Sequence, residues 1–229
     1  MSKFALLLTV IGFVIAATHS AHAQAAAQRF DYLVREDMFR GFAGDKAAFD
    51  RAMALCEARL AENPDHAEAL VWHGTGLLFR SGEAFRSGDT EKAGLLNRNG
   101  LAEMAKPVAL APNNLGVRIP RGAVLLAAGM QIADAQRARV YFETAVEDFE
   151  KALALEQPRL ATLAQHPKGE LFAALAEGWS RLNDAEKSRR YLDRIVAELP
   201  DTIYAAAAGA RLANPSAIAR IACLGCHTK

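Results

Sequence analysis

Cysteine is nearly missing from this chain: three thiols in 229 residues exclude a small fold stapled by several disulfides. Runs of β-branched residues are scarce beyond residue 20, which argues against a core built from strands. An excess of one charge is missing too. Lys and Arg number 27 against 26 Asp and Glu, and the first 23 residues hold one Lys and no acid, so 26 of each sign remain beyond them. A balanced chain carries no electrostatic footprint for nucleic acid or an anionic membrane. No phosphate-cradling glycine loop, no H-E-x-x-H and no paired-carboxylate or Ser-His-Asp arrangement that spacing alone supports is present. What is abundant is Ala and Leu. Apolar residues make up 52% of the chain, and the length suffices for one or two domains with a real core. That composition predicts an all-α fold.

The N-terminus has its own character. Lys3 precedes the apolar stretch Phe4 to Ala17, and Ala21-His22-Ala23 offers small residues at the two positions a signal peptidase reads. The stretch is shorter than the roughly 18 residues of a spanning helix. Residues 1–23 are therefore expected to be a signal peptide, with a mature chain starting near Gln24; a retained anchor is the competing reading. No Cys lies near the cleavage point to take a lipid.

Beyond it, four segments share one layout: a helical run, a turn, a second run, then Pro or a polar pair. The clearest spans residues 172–200. Phe172, Leu175, Ala176 and Trp179 fall on one helix face, Asn183-Asp184 makes a turn and caps the next helix, and Leu192 and Ile195 continue the buried face up to Pro200. Asp201-Thr202 are fresh capping residues. This resembles a tetratricopeptide repeat, a helix-turn-helix unit of about 34 residues. The family's aromatic, Leu, small and aromatic positions match Phe172, Leu175, Ala176 and Trp179; Ser188 matches the small residue opening its second helix, and Pro200 its terminal Pro.

Upstream the match is partial. Trp72, Gly76 and Phe79 fit the first-helix pattern with Thr75 in place of Leu, and Gly82, Met104 and Pro112 complete that unit. Ala145, Phe149 and Ala152 fit a second helix with Pro158 one residue late. The first unit is expected to keep only its second helix, with Ala52 and Cys56 on the packing face and Pro64 at its end. Separations of 48, 46 and 42 residues between Pro64, Pro112, Pro158 and Pro200 exceed the repeat length. Insertions are therefore expected, at Phe85 to Gly100 above all, with a turn at Asn113 to Gly116. The resemblance covers about two-thirds of the mature chain and implies stacked antiparallel hairpins, a solenoid over residues 24–212 whose concave surface holds a protein partner. An irregular bundle of hairpins would give the same pattern.

The chain ends Cys223-Leu224-Gly225-Cys226-His227-Thr228-Lys229. C-x-x-C-H is the attachment sequence of c-type haem. Two thiols three positions apart can each form a thioether to one of two neighbouring vinyl groups, and the next imidazole then serves as proximal iron ligand. Gly225 lets the backbone approach the macrocycle. Asn214-Pro215 suits a helix start, and Ile218, Ile221 and Ala222 give that short helix one apolar face. Residues 213–229 are thus expected to be a haem-attachment segment, with Cys223, Cys226 and His227 binding one covalent haem c and His227 holding the metal. Attachment of c-type haem takes place outside the bacterial inner membrane, which agrees with export and implies a periplasmic location.

Two other uses of the motif remain open. One is a local disulfide between Cys223 and Cys226. The other is a metal held by both thiols and His227, although a closed zinc site needs a fourth ligand. Only two residues follow the motif, unlike the common monohaem cytochromes that supply a Met downstream. The four-helix cytochrome c-prime family also places its motif near the C-terminus and leaves the sixth position open in many members, but the repeat-like units do not fit that bundle. Distal candidates are His66, His73, His166, Met38, Met53, Met104 and Met130. Met53, Met104 and Cys56 read as core, His166 as part of a loop before Pro167, and His73 as facing a groove or solvent. Arg118 and Arg121, flanking Pro120, read as a solvated loop before haem propionates or a partner carboxylate are considered.

Three functions follow. The first is a periplasmic haem protein whose repeats dock a redox or envelope protein while the haem relays one electron. The second is a haem-free adaptor with a terminal disulfide. The third is an enzyme or gas sensor with open iron. None requires nucleic acid or stable membrane insertion, and the first two require no catalytic residue.

Overall fold

Helix starts are written into this sequence as capping side chains. In the computed structural model, which describes residues 29–214, seven of nine α-helices begin on a residue whose side chain accepts a backbone N–H: Asp45, His66, Asp89, Asn114, Asp134, Asp184 and Thr202. The helices are α1 Phe30–Phe42, α2 Lys46–Glu62, α3 Ala67–Arg86, α4 Thr90–Leu110, α5 Leu115–Gly129, α6 Ala135–Glu156, α7 Gln165–Arg181, α8 Ala185–Glu198 and α9 Ile203–Ala213, with a 3-10 turn at Gln157–Thr162. The described residues contain no strand, so the chain is all-α. The expected signal peptide and haem-attachment motif lie outside them.

Turn chemistry sets the pairing. Gly88 and Gly44 take the left-handed region, with φ of 87° and 108°, where a Cβ is unfavourable. Asn183 and Asp201 adopt the same region at 63° and 62°, a conformation their short polar side chains tolerate. Each such turn reverses the chain. Opposed contacts run antiparallel within α1/α2 (Asp37 with Arg51, Arg40 with Asp45), α3/α4 (His73 with Glu103, Ser81 with Ala93), α5/α6 (Arg118 with Asp148, Gly129 with Phe142) and α7/α8 (Arg194 over Phe172, Ser188 with Ala176). Odd-numbered helices also pack on one another: α1 on α3, α3 on α5, α5 on α7, and α7 on α9.

The core divides in two. Phe30, Val34, Met38, Phe49, Met53, Cys56 and Trp72 fill the first hairpin and its junction with α3. A larger cluster runs from Leu78 and Met104 through Phe142, Phe149, Phe172 and Ile195 to Ala208.

Two expectations about the units need correction. The first unit keeps both helices, because Phe30, Val34 and Met38 give α1 a buried stripe at helical spacing. The stretch Phe85 to Gly100 is no insertion. Only Ser87-Gly88-Asp89 is turn, and Asn97-Arg98-Asn99-Gly100 lies inside α4. Gly100 is there because α3 and α4 cross at it: a Cβ on Gly100 would sit 2.7 Å from the Gly74 carbonyl oxygen, and one on Gly74 would sit 2.7 Å from that of Gly100. The two longest proline spacings are absorbed by helices of 20, 21 and 22 residues.

Gly100→Val should therefore lower stability by about 1–3 kcal/mol through overpacking, read from urea unfolding. Gly209→Ala, in α9 with nothing among the described residues near the added Cβ, should raise it by about 0.5–1 kcal/mol. Equal effects of the two changes would refute the crossing as the reason for Gly100.

Candidate functional site

Of the residues assigned to the cofactor from sequence, Cys223, Cys226 and His227 lie outside the described residues. The described body does show where the remaining candidates stand. Met38, Met53 and Met104 are fully buried, and the Met104 sulfur accepts a hydrogen bond from Thr75 Oγ1 at 3.6 Å. Met130 is half-buried against the large cluster. The first three thioethers do not face open space. Cys56 is core, as expected, and burial pushes its thiol up to about 12. Such a thiol is inert.

The three described histidines differ in which nitrogen is engaged. His66 caps α3, its Nδ1 accepting from the Ala69 backbone N–H at 3.2 Å. In the neutral ring that places the proton on Nε2 and spends the single lone pair. Burial and then Arg59 hold its pKa below the ordinary value, so the neutral ring is favoured. His73 stands between α2 and α4, with Nδ1 2.6 Å from Glu103 and Nε2 3.9 Å from Glu57; the expected groove or solvent is replaced by carboxylates. His166 is exposed, and its Nδ1 lies 2.7 Å from the Tyr204 hydroxyl. It sits in the first turn of α7 rather than in a loop. Pro167 is compatible with that turn because first-turn N–H groups have no helical acceptor.

Arg118 and Arg121 overturn their expected loop position. Both lie within α5 at 5% and 6% exposure. Arg118 Nη1 reaches Asp148 Oδ1 at 2.8 Å; Arg121 donates through Nε to Oδ2 at 2.6 Å and through Nη2 to Oδ1 at 2.8 Å. Arg118 Nε also donates to the Pro112 carbonyl at 3.1 Å. Proline ordinarily breaks a helix interior, which is why the sequence points to a loop, yet α5 runs through Pro120. The sequence does hold a signal for this cluster: Asp148 stands on the same face of α6 as Ala145, Phe149 and Ala152, a carboxylate inside an apolar stripe.

Related groups have no such signal. The Glu68 carboxylate accepts from the Asp31 backbone N–H at 2.9 Å and from Asn114 Nδ2 at 3.1 Å, tying α1, α3 and the start of α5. Burial raises the Asp31 pKa against the opposing pull of Arg29 and Arg35. Glu150 accepts from Trp179 Nε1 at 2.9 Å and the Tyr191 hydroxyl at 2.8 Å. Burial, then the Glu150 carboxylate, pushes the Tyr191 phenol up. These are junction clasps. Each depends on residues 29 to 46 positions apart in the chain, a distance that local patterning does not reach.

Among the described residues no group of three or more His, Cys, Asp or Glu could hold a metal ion, and no helix is long and apolar enough to cross a membrane. A shallow groove between α6 and the α7/α8 turn is lined by Val146, Trp179, Leu182 and charged residues. Lys187 Nζ stands 3.7 Å over the Trp179 ring.

Asp148→Ala would strand two buried guanidiniums and should cost about 3–5 kcal/mol, seen as a lower urea midpoint at unchanged slope. A loss below about 1 kcal/mol would show that water reaches the pair and that the clamp is a surface feature. The chain matches no family model, no curated protein and no solved structure.

Proposed function

We propose that this chain is an exported c-type haem protein whose hairpins form a tetratricopeptide-like solenoid that docks a protein partner, while a C-terminal haem relays one electron. The observation that carries the reading is Cys223-Leu224-Gly225-Cys226-His227 at the end of a chain whose only other thiol, Cys56, is sealed in the core. Cys56 cannot pair with either terminal thiol without unfolding the first hairpin. Each terminal S–H would add across one vinyl C=C, forming a C–S and a C–H bond with no oxidant needed, and His227 would hold the iron. When bound, the group supplies a one-electron change of oxidation state at iron.

The packing pattern supports the solenoid. Contacts run mainly between helices adjacent or next-but-one in the chain, as expected when each unit buries its face on its neighbours. Ser188, matched to the repeat's small residue, is buried and donates from Oγ to the Ala176 carbonyl at 2.8 Å, where the other small position lies. The export and periplasmic readings rest on residues 1–23 and on the chemistry of haem attachment.

Thiol counting in denaturant separates the alternatives. A haem-loaded chain has one titratable thiol, Cys56, before and after reduction. A terminal disulfide gives one before and three after, and a thiolate–metal site gives three throughout once a chelator is present. We expect the first result from protein made with a working haem-attachment system, together with added haem mass on the last peptide. Three thiols after reduction would end the haem reading. In the native state Cys56 should resist alkylation at neutral pH, because its raised pKa leaves almost no thiolate.

A further inference from the structure

We infer that the groove between α6 and the α7/α8 turn docks a basic segment of a protein partner. Its Arg or Lys side chains would meet Glu143 and Glu147, and an apolar side chain would seat on Trp179 and Leu182. The inference rests on the partner docking proposed above and gives it a place and a chemistry. Charge is the first reason. The whole chain is balanced, with 27 Lys and Arg against 26 Asp and Glu, but the groove is not. Glu143, Glu147, Glu150 and Asp184 line it against one lining cation, Arg139. Lys187 Nζ, 3.1 Å from Asp184 Oδ2, offsets that carboxylate, which leaves three acids against Arg139. A local excess of one sign attracts the opposite sign and repels its own.

Two of these acids keep an unused oxygen. The Glu147 side chain is 68% exposed. Its Oε1 has only a long 3.4 Å contact from Arg118 Nη1, whose closer partner is Asp148 at 2.8 Å. Glu143 accepts from Arg139 through Oε1 alone, at 2.8 Å, and both side chains of that pair are exposed. The second oxygen of each has no partner among the described residues. Glu150 has a different task. It accepts from Trp179 Nε1 and, through both oxygens, from the Tyr191 hydroxyl, which fixes the indole as the groove floor. Those donors are neutral, and Glu150 has no ion-pair partner among the described residues, so its charge adds to the field.

Apolar contact is the second reason. Trp179 is half-buried, and Lys187 over its ring shows that the face accepts a cation. A large aromatic side chain already held in position loses little freedom on binding, and Trp is enriched among the residues that dominate interface energy. Val140 is 59% exposed and shares one face of α6 with Glu143 and Glu147, at spacings of three and seven. Apolar and acidic groups thus alternate along the surface, and the complement is a segment in which basic and apolar side chains alternate. The groove holds about 430 Å³ and is shallow. A small molecule would be mostly enclosed by its site, so a segment laid across this one is the better fit.

The test uses the full chain and a short labelled peptide of alternating Arg and Leu, read by fluorescence anisotropy beside a counterpart with Glu for Arg. The Arg peptide should bind saturably and the Glu peptide should not. Binding should weaken as salt shortens the Debye length from about 10 Å at 0.1 M to about 3 Å at 1 M. Glu143→Gln with Glu147→Gln should cost about tenfold in affinity, whereas Glu36→Gln, an exposed acid of α1, should leave it unchanged. Trp179→Ala should cost about thirtyfold. Should that variant fold poorly, the glutamine pair decides alone, since both replaced side chains are exposed. Equal binding of the Glu peptide, or no saturable binding of the Arg peptide, overturns the proposal. A peptide-free dimer that the glutamine pair dissociates overturns it in favour of a second copy. Binding that survives the glutamine pair moves docking away from this groove and leaves the partner-docking reading standing. Haem mass on the last peptide is measured separately, so haem attachment and docking can fail independently.

Discussion

A helical hairpin of this chain covers one face of each helix and leaves the other bare, so every hairpin requires the next. That constraint explains why odd-numbered helices pack on one another in series and why the large apolar cluster is continuous from Leu78 to Ala208. It also explains where the polar groups are buried. Apolar contact between helices tolerates some sliding, whereas a carboxylate with two directed partners does not. Glu68, Asp148 and Glu150 each join side chains or backbone from different helices. They set the register of one helix on the next, a role for buried polar groups best attested where alternative registers compete.

Much of this architecture is legible in the sequence because helix boundaries are local. Asp184 and Thr202 read as caps and Asn183-Asp184 as a turn from a few neighbouring residues, and the stripe of Phe172, Leu175 and Ala176 emerges from one period. All three stripe residues are fully buried in the structure. The misleading signals are equally local. Gly100 beside Asn97 and Asn99 resembles a loop until Gly74 is seen to cross it. Pro120 resembles a break until α5 is seen to pass through. Arg118 and Arg121 look solvated because charged residues usually are, and only Asp148, far along the chain, draws them inside. As for the candidate site, the motif itself is visible in sequence, while the engagement of each histidine nitrogen is a tertiary property that spacing cannot express.

Hydrogen-bond occupancy also separates residues that hold the fold from residues able to act. A group that serves as a ligand needs an unused valence facing reachable space. Both Asp148 oxygens are taken by Arg118 and Arg121. Glu68 is spent on Asp31 and Asn114, and Glu150 on Trp179 and Tyr191. Cys56 has a free sulfur but no access and almost no thiolate. The carboxylates are rich in charge and poor in availability, so they mark structure rather than a site.

His166 is the converse. It is exposed, its Nδ1 lies 2.7 Å from the Tyr204 hydroxyl, and its Nε2 has no hydrogen-bond partner among the described residues. Beside it α9 packs on both α7 and α8. Access, rather than charge, is what sets it apart from the buried carboxylates.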